Sequence, residues 1–561
     1  MLKAEEIEAL RDASTELTQP IIDYLLADLA ERVKTAGEFS ATAQYETWKL
    51  QQLGLSQKEI KQRVKKLLKT TNAEVERLFT QSAEAGYSFD LKMLPTAEAI
   101  PFERNASIQQ IVAAAVALAQ DDLTNITQTL GMVDPYGKVQ PLQAVYRQCM
   151  DHAFMQVSTG AVDYTSAIRE TTKNLADKGV YVIDYESGVH TTLEAAVRRN
   201  VMGGLGLMQE QISKRNHDEY GADGWEIDAH SNSAPDHEPI QGRQYPDAEY
   251  EALNNSLVRR IGTLNCGHSA YPIIMGVSSQ QYTPEQLEAM RSANAEGIDY
   301  DGRHYTGYEA TQHQRALERA IRKQKRRILI DETTGDAEKL ETDQIKLQML
   351  RQKYKRFSKA AGLRTQTERA EVAGFGYKQA SAADKAARKH YKTWSKSIGV
   401  DSSIKNLAEY YEVKYNDIPR YELLQNYAAD VKSGWISPLA GFDGYEALHN
   451  QIQSEIVGKR AINGILISGQ SRHFIQRVVG TMIDPQKFKN NLQIVRRSGV
   501  EITDIKDALF SDSSVVNVTM RNNGKTSVKF TGENCMVTLN PETGILIQVN
   551  PKKVRTNVEN E

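Results

Sequence analysis

Between residues 193 and 212 apolar side chains recur at helical spacing: Leu193, Val197, Val201, Leu205, Met208 and Ile212 fall on one stripe. Three glycines, Gly203, Gly204 and Gly206, sit inside the same stretch. Each costs about 1 kcal/mol of helix propensity. Either the helix breaks there, or another segment packs too closely for a side chain. Thr191 and Glu194, three residues apart at the start, predict a capping box. With "LTQPIIDYLLADLAERV" and "IQQIVAAAVALAQDDLTNITQTL" showing the same period, residues 1–215 read as mostly helical.

The helical period vanishes over 220–280, where Pro, Gly, Asn, His and Trp become frequent; this predicts an irregular, loop-rich insert with short strands. Helix returns over 283–365 and is heavily charged. Residues 366–450 are polar and rich in Ala and Tyr, and read as a helical connector. Towards the end, "INGILIS" (462–468) reads as a strand, and 471–480 and 500–511 as short helices. Two alternating segments then form hairpins, 515–530 about an Asn-Gly turn and 535–549 about Asn-Pro-Glu-Thr-Gly. The expected fold is multidomain. A mainly α N-terminal body (1–335) with the loop-rich insert and long charged helices leads to a helical connector (336–455) and a small α+β domain (456–561).

Composition bounds the partners. With 69 basic and 72 acidic residues, the formal net charge of −3 selects neither a nucleic acid nor a membrane. The apolar run at 111–119 is far short of the ~18 residues a bilayer span needs. Three cysteines, Cys149, Cys266 and Cys535, make no disulfide framework and point to assembly in a reducing cytoplasm.

The insert concentrates His230, Asp236, His237, Cys266 and His268 within 39 residues. Imidazole and thiolate are the ligands zinc favours, so His230, His237, Cys266 and His268 are candidates for a structural zinc site, although their spacing matches no established template. The alternative is a set of polar ties holding a segment with little apolar content in one shape.

The run "APDHEPIQGRQY", followed by "IG" and "NCGHSAYPIIMG", resembles the signature of phage minor capsid proteins (the minor capsid protein 2 family), a group related to the Mu-F-like head morphogenesis family. The signature positions are Asp236, His237, Gln241, Gly242, Asn265, Cys266, His268 and Pro272. The resemblance spans roughly 1–335 and is best over 145–280. Ile240 stands where many relatives carry an aromatic residue, and Gly267 where they often carry a basic one. The resemblance implies a virion protein of few copies near the portal vertex, partnered by portal and capsid proteins, with roles in head assembly and genome delivery. It implies no catalysis by this segment.

"RALERAIRKQKRR" (315–327) has seven basic residues against one acidic, and a second basic stretch follows at 351–364. Both are candidates for DNA contact through phosphate neutralisation; the alternative is a solvated, mixed-charge helical hairpin.

The last hundred residues resemble the small toxin-like domains fused to phage minor capsid proteins, of the broad group that includes barnase-like, EndoU-like, colicin-like and RelE-like ribonucleases. In that reading, His473 is the acid/base of a metal-independent ribonuclease. Arg472, Arg477, Lys525 and Lys529 hold the phosphate, and Ser527 donates a hydrogen bond. Residues 525, 527 and 529 share one face of an alternating strand, with Val528 and Phe530 facing the core. The alternative is an ordinary solvated sheet face. Two readings therefore stand: a structural virion protein with an accessory C-terminal domain, or a virion-delivered effector carrying a ribonuclease. A third, a free zinc-dependent nuclease centred on His230, His237, Cys266 and His268, lacks an evident general base.

Overall fold

The computed structural model describes residues 9–10, 12–14, 16–94, 99–172, 175–183, 190–262, 267–437, 441–481, 498–520 and 526–552. The chain forms two compact units, 1–386 and 387–561. The first is a mainly α body with small sheets; the second is helical with a small α+β end.

The first unit is built on α1 (Gln19–Gly37), α2 (Thr42–Met93), α3 (Ala106–Gln128), α4 (Leu142–Ser158) and α5 (Leu193–Tyr220). Their apolar faces meet in one core that includes Leu25, Leu29, Phe79, Ile108, Val145, Val201 and Ile212. α2 runs for 52 residues. Its ends are anchored, by the stacking of Tyr45 on Phe154 at 4.0 Å and by burial of Val75, Phe79 and Tyr87. Between Glu59 and Glu74 it carries Lys61, Arg63, Lys65, Lys66 and Lys69 and no acid. The strands β1 (Leu130–Val133), β2 (Val139–Pro141), β3 (Val180–Ile183) and β4 (His190–Thr192) form an antiparallel sheet in the order β2-β1-β3-β4.

α5 does not break at its glycines. All six stripe residues are buried, and the helix closes on Gly221 in the left-handed region, φ 66°. The glycines answer to separate neighbours. A Cβ on Gly206 would stand 1.5 Å from the carbonyl oxygen of Gly262, and one on Gly204 would touch Phe79 at 3.0 Å, whereas Gly203 faces open space. The expected capping box is corrected. The N-cap is Thr192, whose hydroxyl accepts from the Ala195 amide, while Thr191 is paired in β4 with Val182. Glu194 turns away, accepting from Gln19 Nε2 at 3.0 Å and pairing with Arg322 and Arg326.

The 220–280 insert is more regular than its composition suggests. β5 (Gly224–Ile227), β6 (Gln244–Pro246) and β7 (Ala270–Ile273) form an antiparallel sheet in the order β6-β5-β7, beside α6 (Asp247–Ser256). Only Ile227 and Ile261 are the buried members of its apolar cluster among the described residues. Then follow α7 (Pro284–Glu296), opened by a capping box on Thr283, and the hairpin of β8 (Ile298–Tyr300) with β9 (Arg303–Tyr305). α8 (Gly307–Thr334) and α9 (Ala337–Ala360) form a helical hairpin. Gly335 at φ 78° and an N-capping Asp336 make the turn between them.

In the second unit, α10 (Ile418–Lys432) and α11 (Gly441–Glu455) bury Tyr427 and Tyr445 against one another. Beyond them β10 (Gly469–Gln470), α12 (Arg472–Val479), α13 (Ile502–Phe510), β11 (Val515–Met520), β12 (Thr526–Thr531), β13 (Cys535–Leu539) and β14 (Ile545–Pro551) give a sheet in the order β10-β14-β13-β12-β11. The strands of both expected hairpins pair as read. The expected strand at 462–468 is corrected. Asn463-Gly464 puts a tight turn inside that run, with Gly464 at φ 84°, so Arg460 and Leu466 make only an isolated bridge. Cys149 and Cys535 are buried free thiols. Among the described residues no helix is long and apolar enough to cross a membrane.

Candidate functional site

The signature residues converge where the loop 231–242 meets the start of β7. His237 and His268 are each 2% exposed, and Gln241 is also buried. The Gln241 side-chain oxygen accepts the backbone N–H of His230 at 3.1 Å. That identifies it as oxygen, so His268 Nε2, at 2.9 Å from it, carries the hydrogen and donates. His237 Nε2 donates to the Arg259 carbonyl at 2.8 Å. With both Nε2 atoms committed as donors, the two Nδ1 atoms face each other at 3.4 Å. His230 stacks on the His268 ring, centroids 4.3 Å apart, and its Nδ1 contacts the Ser231 carbonyl at 2.9 Å.

The other signature positions support this arrangement. Asp236 pairs with Arg259, which fixes the stretch whose carbonyl holds His237. Gly242 takes φ 69°, and its amide donates to Ile227 at 2.8 Å. Pro272 lies in β7 opposite Trp225. Asn265 and Cys266 lie outside the described residues. One contributor carried no signal in the motif: Asp228. It is buried and accepts the Ser269 amide at 2.7 Å. Burial pushes its carboxyl up to about 7 despite that hydrogen bond. A cavity of about 350 Å³ adjoins His268, with His217, Trp225 and Tyr250 stacked in its wall.

The basic run is largely turned inward, because its counter-charges come from distant helices. Arg326 Nε donates to Asp23 at 2.9 Å, with both side chains buried. Arg327 Nε donates to Asp177 at 2.6 Å, and Lys325 donates to the Ala370 carbonyl. The alternative of a solvated, mixed-charge hairpin is therefore corrected at Arg322, Lys325 and Arg326, which are buried. What opens outward is a cleft of about 630 Å³ at the N-terminus of α5, whose lining includes Arg198, Arg315, Arg319 and Arg322. The Arg198 Nε is buried without a hydrogen-bond partner. Burial, together with Arg315 and Arg319 beside it, lowers the pKa of that guanidinium. Glu16, Glu368 and Glu371 line the cleft as well.

In the second unit, the candidate ribonuclease residues lie on different elements. His473 sits on α12, which packs against β14, whereas Ser527 and Lys529 lie on β12, with β13 between β14 and β12 in the sheet. Ser527 is 7% exposed and Lys529 half-buried, so they form no open polar row, and Lys525 lies outside the described residues. Arg472 Nε donates to Asp430 at 3.0 Å. Asp430, which the sequence reading missed, is buried and also accepts from Gln476 at 2.8 Å. His473 Nδ1 lies 3.2 Å from the Gln476 side-chain oxygen. Burial and the neighbouring Arg477 push its pKa below the usual imidazole value.

No curated protein and no solved structure matches this chain. Residues 2–359, which enclose the helical core, the histidine-bearing insert and the basic hairpin, match the family described as phage minor capsid protein 2. The match covers well over half of the sequence, and the chain belongs to the phage minor capsid protein 2 family.

Proposed function

We propose that this protein is a structural component of a tailed-phage head, held in few copies beside the portal and acting in head assembly and genome delivery. The observation that carries the reading is the family match over 2–359. The use made of polar groups in that region supports it: Asp23, Glu194, Arg326 and the signature histidines are spent on joining elements to one another. DNA contact, in this reading, falls to Arg198, Arg315 and Arg319 in the lining of the cleft. Quantitative mass spectrometry of purified particles tests the proposal. A small, reproducible copy number relative to the portal protein is expected. Absence from particles, with abundance in infected cells, would overturn it.

The second reading, a delivered effector with a metal-independent ribonuclease at 456–561, rests on the likeness of that region to toxin domains. The Asp430–Gln476–His473 chain of polar contacts is its best structural support. RNA cleavage by the full-length protein that disappears in His473→Ala would favour it; an intact RNA substrate with the wild-type chain would remove it.

A further inference from the structure

We propose that the groove between the middle of α2 and the start of α4 docks an acidic amphipathic helix of a partner protein. The inference stands apart from the virion role above and rests on the residue pattern of α2, the lining of the groove and the spacing of its charges.

The pattern comes first. Ile60, Val64 and Leu68 recur every four residues along α2, and each is followed at once by a lysine: Lys61, Lys65 and Lys69. Residues four apart on a helix lie one above another, and the next residue in the chain lies about 100° further round. This stretch of α2 therefore carries an apolar ridge and, beside it, a basic ridge.

Both ridges line a groove of about 760 Å³. The rest of its lining comes from the end of α3, from β1 and β2 and from the start of α4, and includes Leu130, Leu142 and Tyr146. Val64, Leu130 and Tyr146 are buried, whereas Ile60, Leu68 and Leu142 are half-buried. The three lysines are exposed, and none of them has a hydrogen bond or an ion pair among the described residues. Among those residues no carboxylate lines the groove. Asn72 lies on the lysine stripe, three residues beyond Lys69, and its side-chain oxygen is buried without a hydrogen-bond partner. A buried acceptor of that kind is matched when an occupant brings a hydroxyl or amide donor.

The occupant follows from the spacing. A nucleic acid would match the lysines but leave the apolar ridge uncovered, since its interfaces are polar and strongly charged. An amphiphile with one anionic head needs cations that converge on one point. Here they are spread in a row, with eight residues, or about 12 Å of helix, between Lys61 and Lys69. A helix laid in a groove by apolar anchors at i, i+4 and i+7 spans about 10.5 Å, and carries carboxylates along its flank at the same four-residue interval. Such a helix meets both ridges at once: its apolar face covers Ile60, Val64 and Leu68, and its acids face Lys61, Lys65 and Lys69.

Fluorescence anisotropy with the full-length protein tests the proposal. The probe is a fluorescein-labelled model helix of about 18 residues, five turns, with leucines at i, i+3, i+4 and i+7 and glutamates beside them. Its twin carries lysine in place of every glutamate. The acidic peptide should bind, more weakly as salt rises, and the basic twin should not. A triple variant, Lys61→Glu, Lys65→Glu and Lys69→Glu, should bind the acidic peptide at least tenfold more weakly and gain binding of the basic twin. Its melting temperature should match wild type, because the three side chains are exposed and unpaired. No binding of the acidic peptide, or equal binding of the twins, overturns the proposal. Wild-type affinity in the triple variant overturns the location. Binding that survives replacement of the peptide's leucines by serine, or displacement of the peptide by duplex DNA, overturns it too, because the lysines then act without the apolar ridge.

Discussion

Gly206 and Gly203 lie three residues apart in α5, and alanine should act at them with opposite signs. In an unconstrained helix, Gly→Ala stabilises by about 0.5–1 kcal/mol, because the glycine backbone loses more freedom on folding. Gly203 meets nothing within 4 Å of a built Cβ and should show that gain. At Gly206 the same methyl would stand 1.5 Å from the Gly262 oxygen and 2.7 Å from its carbon. Restoring even a tight contact of 3.0 Å requires helix and loop to separate by about 1.5 Å. The obstacle is backbone, which cannot rotate aside as a side chain would. Overpacking of this kind costs about 1–3 kcal/mol. Gly206→Ala should therefore lower the urea midpoint of the first unit's transition, followed by far-UV circular dichroism, while Gly203→Ala raises it. A Gly206→Ala midpoint at or above wild type would refute the reasoning, as would an equal fall for Gly203→Ala.

Three further outcomes are expected. Arg326→Met leaves buried Asp23 without its guanidinium and should cost about 3–5 kcal/mol at pH 8. The loss should shrink towards pH 5: burial already raises the Asp23 pKa, and without Arg326 to lower it the carboxyl takes up a proton more readily; chemical denaturation at the two pH values checks this. Asp90, buried between α2 and α5 with Ser213 and Asn216 donating to it, has its carboxyl pushed by burial up to about 6. A raised pKa means that its contribution is whole below the unfolded value near 4 and is lost as pH rises through about 6. Calorimetry should thus show the first unit losing stability between pH 5 and 7.5, and Asp90→Asn losing less over that interval. Asp430→Ala strands Gln476 and Arg472 and should cost the second unit about 1–3 kcal/mol, with Arg472 still able to reach water; a calorimetric scan showing no displacement of that unit's transition would count against the assignment.

Periodicity was readable wherever the determinants are local. The α5 stripe, the paired strands about Asn-Gly and the Gly335–Asp336 turn all follow from residues within a few positions of one another. The errors arise where a distant partner decides. Glu194 has the spacing of a capping residue, but Arg322 and Arg326 lie more than 120 positions away and take it instead. The basic run reads either as a DNA contact or as a solvated hairpin because nothing near it in sequence reveals that Asp23 and Asp177 pair with it. At the signature, the residue types were legible, but which nitrogen faces which was not, since that depends on the Arg259 carbonyl and on Gln241. The wrongly expected strand at 462–468 is a different failure, because its apolar pattern outweighed an Asn-Gly pair in plain view.

The 52 residues of α2 have a mechanical consequence. At 1.5 Å per residue such a rod reaches about 78 Å, so tilting one end by about a degree carries the other about 1.4 Å. Both ends are gripped by aromatic and aliphatic side chains, while Lys61, Lys65 and Lys69 follow one another at helical spacing along the middle. Val64, between Lys61 and Lys65, is buried in the same core, with Ile60, Leu67 and Leu68 packed beside it. The rod is thus held along its length as well as at its ends, and a displacement of one end is carried to the other.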